Sequence, residues 1–416
     1  MSGLTLDLGR FVAELNLSQI PSEGCAIART GIADCFGVLI AGARDPEIAL
    51  IDRELGVSGG ASSASLIPSG ARRSVDTATL VNGIAAHVLD YDDVSLDGHP
   101  SAVLVPAIFA QGEASGASGA EMLTAYVAGY EVWAELLERQ PIPLHRKGWH
   151  PSAVLGPVAA AAACAKLRSL DEQGAATAMA IAASMAAGVV ANFGTMTKSF
   201  QVGRAAQSGV IAARLAAAGF TASLDALEHQ AGLLIALSVD GTAALDRPFI
   251  AAQKEWHIVG HGLSIKRYPI CYATHRSIDA ALDLVARHDL TPAKVERIHV
   301  ITGKTQILML RNTPPADWAR GEILHAVRHG GGAGRPQCRL ARAHRRFRAA
   351  TRGAGDLSAR DAHRHDRGEG RLQFRAVRRG RDNDDGRRDA EKRAGRVRQG
   401  QPRAAADARG AVDQIR

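Results

Sequence analysis

A chain of 416 residues with 46% hydrophobic and only 4% aromatic residues has room for two or three domains and a core of Ala, Leu, Ile and Val. Its formal charge of +8 is unevenly placed: residues 321–416 hold 25 of the 50 Lys and Arg but 12 of the 42 Asp and Glu, a charge of +13, leaving −5 on residues 1–320. A protein basic throughout is thereby excluded, and the lack of any C-x-x-C spacing among Cys25, Cys35, Cys164, Cys271 and Cys338 excludes an iron–sulfur, zinc-knuckle or disulfide framework.

The opening MSGLTLDLGRFVAEL has neither a basic segment nor an apolar run, so no secretory signal and a cytoplasmic location are expected. Apolar residues then recur at three and four, predicting helices over 6–16, 25–43 and 76–89, the last through Leu80, Val81, Ile84, Ala85 and Val88. Its end runs into HVLDYDDVSLDG, where Asp90, Asp92 and Asp93 meet the negative end of the helix dipole. A purely structural helix end would carry Lys or Gly there. Clustered carboxylates raise one another's pKa or recruit a cation; with no H-x3-H or similar spacing beside them, the acid–base reading leads and no metal ligand is assigned.

HPSAVL follows at His99–Leu104 and occurs again at His150–Leu155, each copy continuing to a proline, Pro106 and Pro157. Proline at the first helical position uses its preset φ and gives up an N–H that has no partner there anyway. Each copy therefore opens a helix, predicted over 101–115 and 151–166, with a histidine just outside and free N–H groups suited to an anion. Such residues should bury little apolar area. A helix over 119–138 lies between the copies, and one over 171–190 follows. The uncharged stretch Thr177–Met196 is long enough to cross a bilayer but only weakly hydrophobic, which favours a packed core helix and no membrane partner.

FGTMTKSFQVGRAAQSG then places Lys198, Gly203 and Arg204 about the start of a helix over 203–218, with another over 223–236. SIKRYPICYATH brings Lys266, Arg267, Tyr268 and His275, followed by a helix over Ser277–His288 and a strand through Ile298, Val300 and Thr302. The division expected is a mainly α fold: an all-α domain over 1–265, the start of a smaller α+β domain over 266–322, and an Arg-rich tail over 323–416. That tail has no apolar period, and only Phe347 and Phe374 could stack on bases, so a nucleic-acid arm is disfavoured. Codons compatible with ILHAVRHGG, read one base later, give FSMQYAMA, and HRRFRAATRGAG gives TDDFVRRPEVQ. The tail is expected to be translated out of frame from near Gly321–Glu322 and disordered.

Taken in order, HVLDYDDVSLDGHPSAVLVPA, KGWHPSAVLGP, FGTMTKSFQVGRAAQSG and IKRYPICYATH resemble the MmgE/PrpD family, which includes 2-methylcitrate dehydratase and cis-aconitate decarboxylase; the resemblance covers residues 1 to about 322. It implies a cofactor-independent lyase acting as a homodimer on a tri- or dicarboxylic hydroxy acid, 2-methylcitrate dehydratase-like or cis-aconitate decarboxylase-like, without metal. Motif by motif it implies catalytic roles for Asp90, His99, His150, Lys198 and Lys266, with Arg204, Arg267, Tyr268 and His275 binding substrate. Val94 stands where relatives often carry Thr. Loss of the second domain would instead leave an inactive or binding-only remnant.

Overall fold

The computed structural model describes residues 3–56, 63–249 and 256–290, with 298, 300–303 and 310. The tail from 323 and the boundary at 322 lie outside the described residues; of the predicted strand, Val300 forms a single bridge, and Ile298 and Ile301–Gly303 have no regular secondary structure. What is described is mainly α. The only regular sheet among the described residues is the two-residue antiparallel pairing of Ala64–Ser65 with Arg72–Arg73.

The chain opens with α1 (Leu4–Glu14) and α2 (Ser22–Gly42) and adds a helix the periodicity did not predict, α3 (Pro46–Leu55). The local signal for α3 is Asp45-Pro46: the Asp45 carboxylate accepts from the Glu47 N–H at 3.0 Å and proline takes the first helical position. Ahead of the carboxylate turn comes α4 (Val75–His87), capped by Ser74. The centre is built from α5 (Pro100–Ser115) and α6 (Gly119–Glu138), which are too apolar all round to face solvent. Val103, Leu104, Ile108, Tyr126, Tyr130 and Trp133 are all fully buried.

The same eight-residue pattern, HPSAVL-x-P, gives two different results. In the first copy Val105 precedes Pro106 and α5 runs through. In the second Gly156 precedes Pro157, and the chain breaks into α7 (Pro151–Val154) and α8 (Gly156–Leu167). Proline removes the amide donor in both, and glycine, with its greater backbone freedom, lets the second helix part there.

Helix α9 (Glu172–Ala183) stops seven residues short of the predicted 190. The residues beyond are used as extended backbone: Gly188 O accepts from His150 N at 3.1 Å, and Val190 N donates to Gly148 O at 2.9 Å. Helix α10 (Thr197–Ala217) begins six residues earlier than predicted, which places Lys198 in its first turn. The predicted helix over 223–236 is a series of turns ending in α11 (Leu233–Leu237), followed by α12 (His257–His261) and α13 (His275–His288).

Helices α4 and α10 cross at glycines. A Cβ on Gly83 would stand 2.7 Å from the Gly203 Cα, and one on Gly203 would stand 2.5 Å from the Leu80 carbonyl oxygen. The close approach that Gly203 permits is therefore to another helix. It brings the end of α4 against the start of α10.

Candidate active site

Helix α4 ends at His87, and the next turn, with Asp90 at φ 48°, sends the three carboxylates to three different partners. Asp90 takes two ammonium groups, Lys198 Nζ at 2.7 Å and Lys266 Nζ at 2.6 Å. Burial by itself would raise the Asp90 carboxyl, but the two lysines hold it well below the usual carboxylate range. Lys266 is itself buried; burial lowers its ammonium, and Asp90 and Asp92 outweigh that to leave it raised.

Lys266 arrives from 176 residues away because Val94 and Ser264 exchange backbone hydrogen bonds of 3.0 and 2.9 Å. That bridge uses only main-chain atoms. Valine at position 94 therefore serves it as well as threonine would.

Asp92 serves two histidines. Its oxygens lie 3.0 Å from His87 Nδ1, and Oδ2 lies 3.0 Å from His99 Nδ1. His99 Nδ1 also lies 3.0 Å from the Asp93 carbonyl oxygen, which can only accept, so that nitrogen carries the proton. Burial raises the Asp92 carboxyl, and its contacts with His87 and His99 more than offset this, holding it well below its ordinary range. Asp93 accepts from Ser101 Oγ at 2.7 Å and from Ser101 N at 3.3 Å. Burial pushes its carboxyl well up, and its bonds to Ser101 close the start of α5 with a side chain rather than leaving it open to an anion.

The two HPSAVL copies are packed against each other. His99 N donates to Ser152 Oγ at 3.0 Å, and a Cβ on Gly98 would meet that oxygen at 2.9 Å. Serine of the second copy thus braces the first. His150 is fully buried; its Nδ1 donates to Gln201 Oε1 at 2.8 Å, and the amide is oriented by its own bond to the Val189 carbonyl at 3.1 Å. The expectation that helix-start histidines bury little is corrected for His150, which packs edge-on against Phe193 with centroids 4.9 Å apart. Burial, with His87 close by, pushes His150 well below its ordinary pKa. Burial likewise lowers His87 to about 4. Its ring centroid is 4.5 Å from that of His99 and 6.3 Å from that of His150.

Asp90, His99, His150, Lys198 and Lys266 are therefore brought into one largely buried cluster, in which His99 and Lys198 stay partly exposed, from four separate stretches of chain. The other named residues stand differently. His275 is nearby, but its Nε2 donates to the Tyr268 and Ile270 carbonyls at 3.1 and 3.2 Å, and burial followed by Lys266 lowers it to about 4. Tyr268 Oη donates to Asp279 at 2.5 Å, Arg267 reaches the same carboxylate at 3.4 Å, and Arg204 donates to Gln207 at 3.0 Å. None of these three contacts involves the cluster.

Sequence reasoning missed His87, the bridging role of Asp92, and Gln201. His87 had a signal, a histidine in the last helical turn five residues before a carboxylate. Gln201 had none, being 51 residues from the ring it orients.

His87, Asp90, Asp92 and His99 each place a ligand atom within 4.8 Å of the others, a spacing a cation could use. Asp90 already faces two ammonium groups, and the Nδ1 atoms of His87 and His99 are spent on Asp92, so the donor set fits proton transfer better than metal binding. A second group, Glu138, His257 and His261, carries Arg247 at 2.7 Å and forms an ion-pair cluster that ties α12 to α6.

A family model for the MmgE/PrpD N-terminal domain matches residues 6–245. Human cis-aconitate decarboxylase is 34% identical over 228 residues, covering 52% of this chain and 46% of that protein. The mouse protein of that name is 32% identical over 229 residues, covering 52% and 45%. An Aspergillus terreus cis-aconitate decarboxylase is 26% identical over 303 residues, covering 69% and 61%. The chain spans about half the length of the mammalian relatives it matches.

Proposed function

The chain belongs to the MmgE/PrpD family, and from that premise we propose that it is a lyase that removes carbon dioxide from a cis-aconitate-like tricarboxylate by acid–base chemistry of its own side chains. The observation that carries the reading is the Lys198–Asp90–Lys266 chain, with Asp90 and Lys266 buried and Lys198 partly so, lying beside three imidazoles with Nδ1 spoken for. Two ammonium groups, one fully buried and one partly exposed, suit a polycarboxylate and the negative charge that builds up in its transition state.

In decarboxylation one C–C bond breaks and carbon dioxide leaves. The electron pair stays on the carbon skeleton, delocalised into a neighbouring carboxylate, and a proton is then delivered to carbon. Lys198 and Lys266 stabilise the developing charge. An imidazole delivers the proton, and Asp92 is placed to support the cationic ring at His99. Dehydration of a 2-methylcitrate-like hydroxy acid, the leading expectation from sequence, would use the same side chains to abstract a proton α to a carboxylate and to protonate the departing hydroxide. The names of the relatives favour decarboxylation. A homodimer belongs to this reading on the strength of the family resemblance.

The test is to incubate the purified protein with cis-aconitate, and separately with 2-methylcitrate, and follow products by NMR. Carbon dioxide release from cis-aconitate is expected, falling roughly 100-fold or more in Lys198→Ala and His150→Ala. Undiminished rates in both variants would remove these residues from the chemistry. A folded protein inert towards every tricarboxylate would leave the binding-only reading.

A further inference from the structure

His87 is not among the residues assigned a role above, yet it is fully buried at the centre of the cluster. Its Nδ1 faces both oxygens of Asp92 at 3.0 Å, and its Nε2 is buried without a hydrogen-bond partner among the described residues. A lone histidine in a core ordinarily has both nitrogens satisfied, because an unpaired buried polar atom costs about 1–3 kcal/mol. Here one nitrogen is spent on a carboxylate that has a second client, His99. We propose that His87 is a positioning residue of this site: its Nδ1–H fixes Asp92 so that one carboxylate serves two imidazoles, and thereby sets how much of that charge His99 receives. The proposal rests on the acid–base reading of the cluster.

The surroundings make this sharing consequential. His99 is faced by Asp92, Asp90 and the Asp93 carbonyl from the turn after α4, by His87 from α4, by His150 and Ser152 from the start of α7, and by His145 from the turn at Leu144–Lys147. Asp92 in turn senses Asp34 on α2 and Lys266, while Lys198 acts on His87. Lys198 and Lys266 contact Asp90, whereas Asp92 contacts the imidazoles of His87 and His99. The number of donors Asp92 serves is thus the local control on the cationic form of His99. Two donors divide what one would receive whole.

Asparagine at position 87 places an amide N–H near the position of Nδ1 and keeps a donor for Asp92, whereas leucine fills comparable space and has none. NMR of protein carrying isotope-labelled histidine reads the His99 titration without substrate, and the pH profile of kcat/KM on cis-aconitate reads it in turnover. His87→Leu should move the His99 titration, and the corresponding limb of the profile, upward by about one pH unit. His87→Asn should leave both close to the parent. An unmoved titration in folded His87→Leu, or an equal shift in both variants, overturns the proposal. So does an Nε2–H tautomer of His87 in the parent protein, which needs no variant at all. If even the parent turns over no tricarboxylate, the lyase reading falls while the substrate-free titration still decides the role of His87.

Discussion

Asp34 on α2 shows what the site costs at the scale of a single residue. Its carboxyl is pushed up to about 7, chiefly by burial and then by Asp92, and its Oδ2 is buried without a hydrogen-bond partner among the described residues. An acid whose folded pKa lies above its unfolded value binds its proton more tightly when folded, so the stability it contributes is present at low pH and is lost as pH rises from about 4 to 7. Asp34→Asn cannot ionise and keeps an acceptor for the Asp93 N–H that Asp34 now receives. Urea titrations should show the variant more stable by about 2 kcal/mol at pH 8.5, after discounting for the partial exposure of the group, with the advantage gone near pH 4. A gain independent of pH would mean that packing, not ionisation, is responsible. The same scale explains the limits of sequence reading at the site. Asp90, Asp92 and Asp93 stand together in the sequence and invite one joint role, but two ammonium groups, two imidazoles and a serine separate them by partner.

Between elements, the decisive contact is the crossing of α4 and α10. Helix α4 carries His87 at its end and α10 carries Lys198 in its first turn, so the glycine contact between them sets how far that lysine stands from the Asp90 turn. A methyl group on Gly203 would collide with the Leu80 carbonyl and with the Ile84 nitrogen at 3.0 Å, and neither is the tip of a movable side chain. Gly203→Ala should therefore cost about 2 kcal/mol or more in chemical denaturation, and raise KM for any carboxylate held by Lys198. Parental stability in that variant would show that the helices part without strain. Helix periodicity located α4 and α10, but it carries no information about which residues touch at a crossing. Nor did it foresee where α9 stops, because the residues after Ala183 leave the helix to pair with the backbone around His150.

Over the whole molecule, the core described is one continuous apolar cluster from Leu4 to Ile258 that includes α1, α5, α6, α8 and α10 and no residue of α13. Among the described residues α13 buries only His275, Ser277 and Ile278, and Val285 is 43% exposed. Stability should be distributed accordingly, since segments with few buried apolar contacts open at lower free energy. Hydrogen exchange followed by mass spectrometry is expected to label α13 about tenfold or more faster than α5, whose face is buried from Pro100 to Ile108. Equal protection would place α13 in the same cooperative unit as the centre.

The sequence by itself determined the helical character of the chain, because a period of three to four apolar residues leaves few other ways to bury them. It also determined the chemical inventory: two histidines at proline-started helices, a carboxylate cluster, and two lysines in ordered motifs. Tertiary structure decided who meets whom. That Asp92 bridges His87 and His99, that Ser152 braces the first HPSAVL copy, and that Lys266 reaches Asp90 across 176 residues all depend on distances closed by packing and by backbone bridges. Burial, which pushes His87 down to about 4 and Asp34 up to about 7, is likewise a property of the packed surroundings and not of either residue. Local spacing specifies which groups are available, and desolvation together with long-range contact determines which of them share a proton.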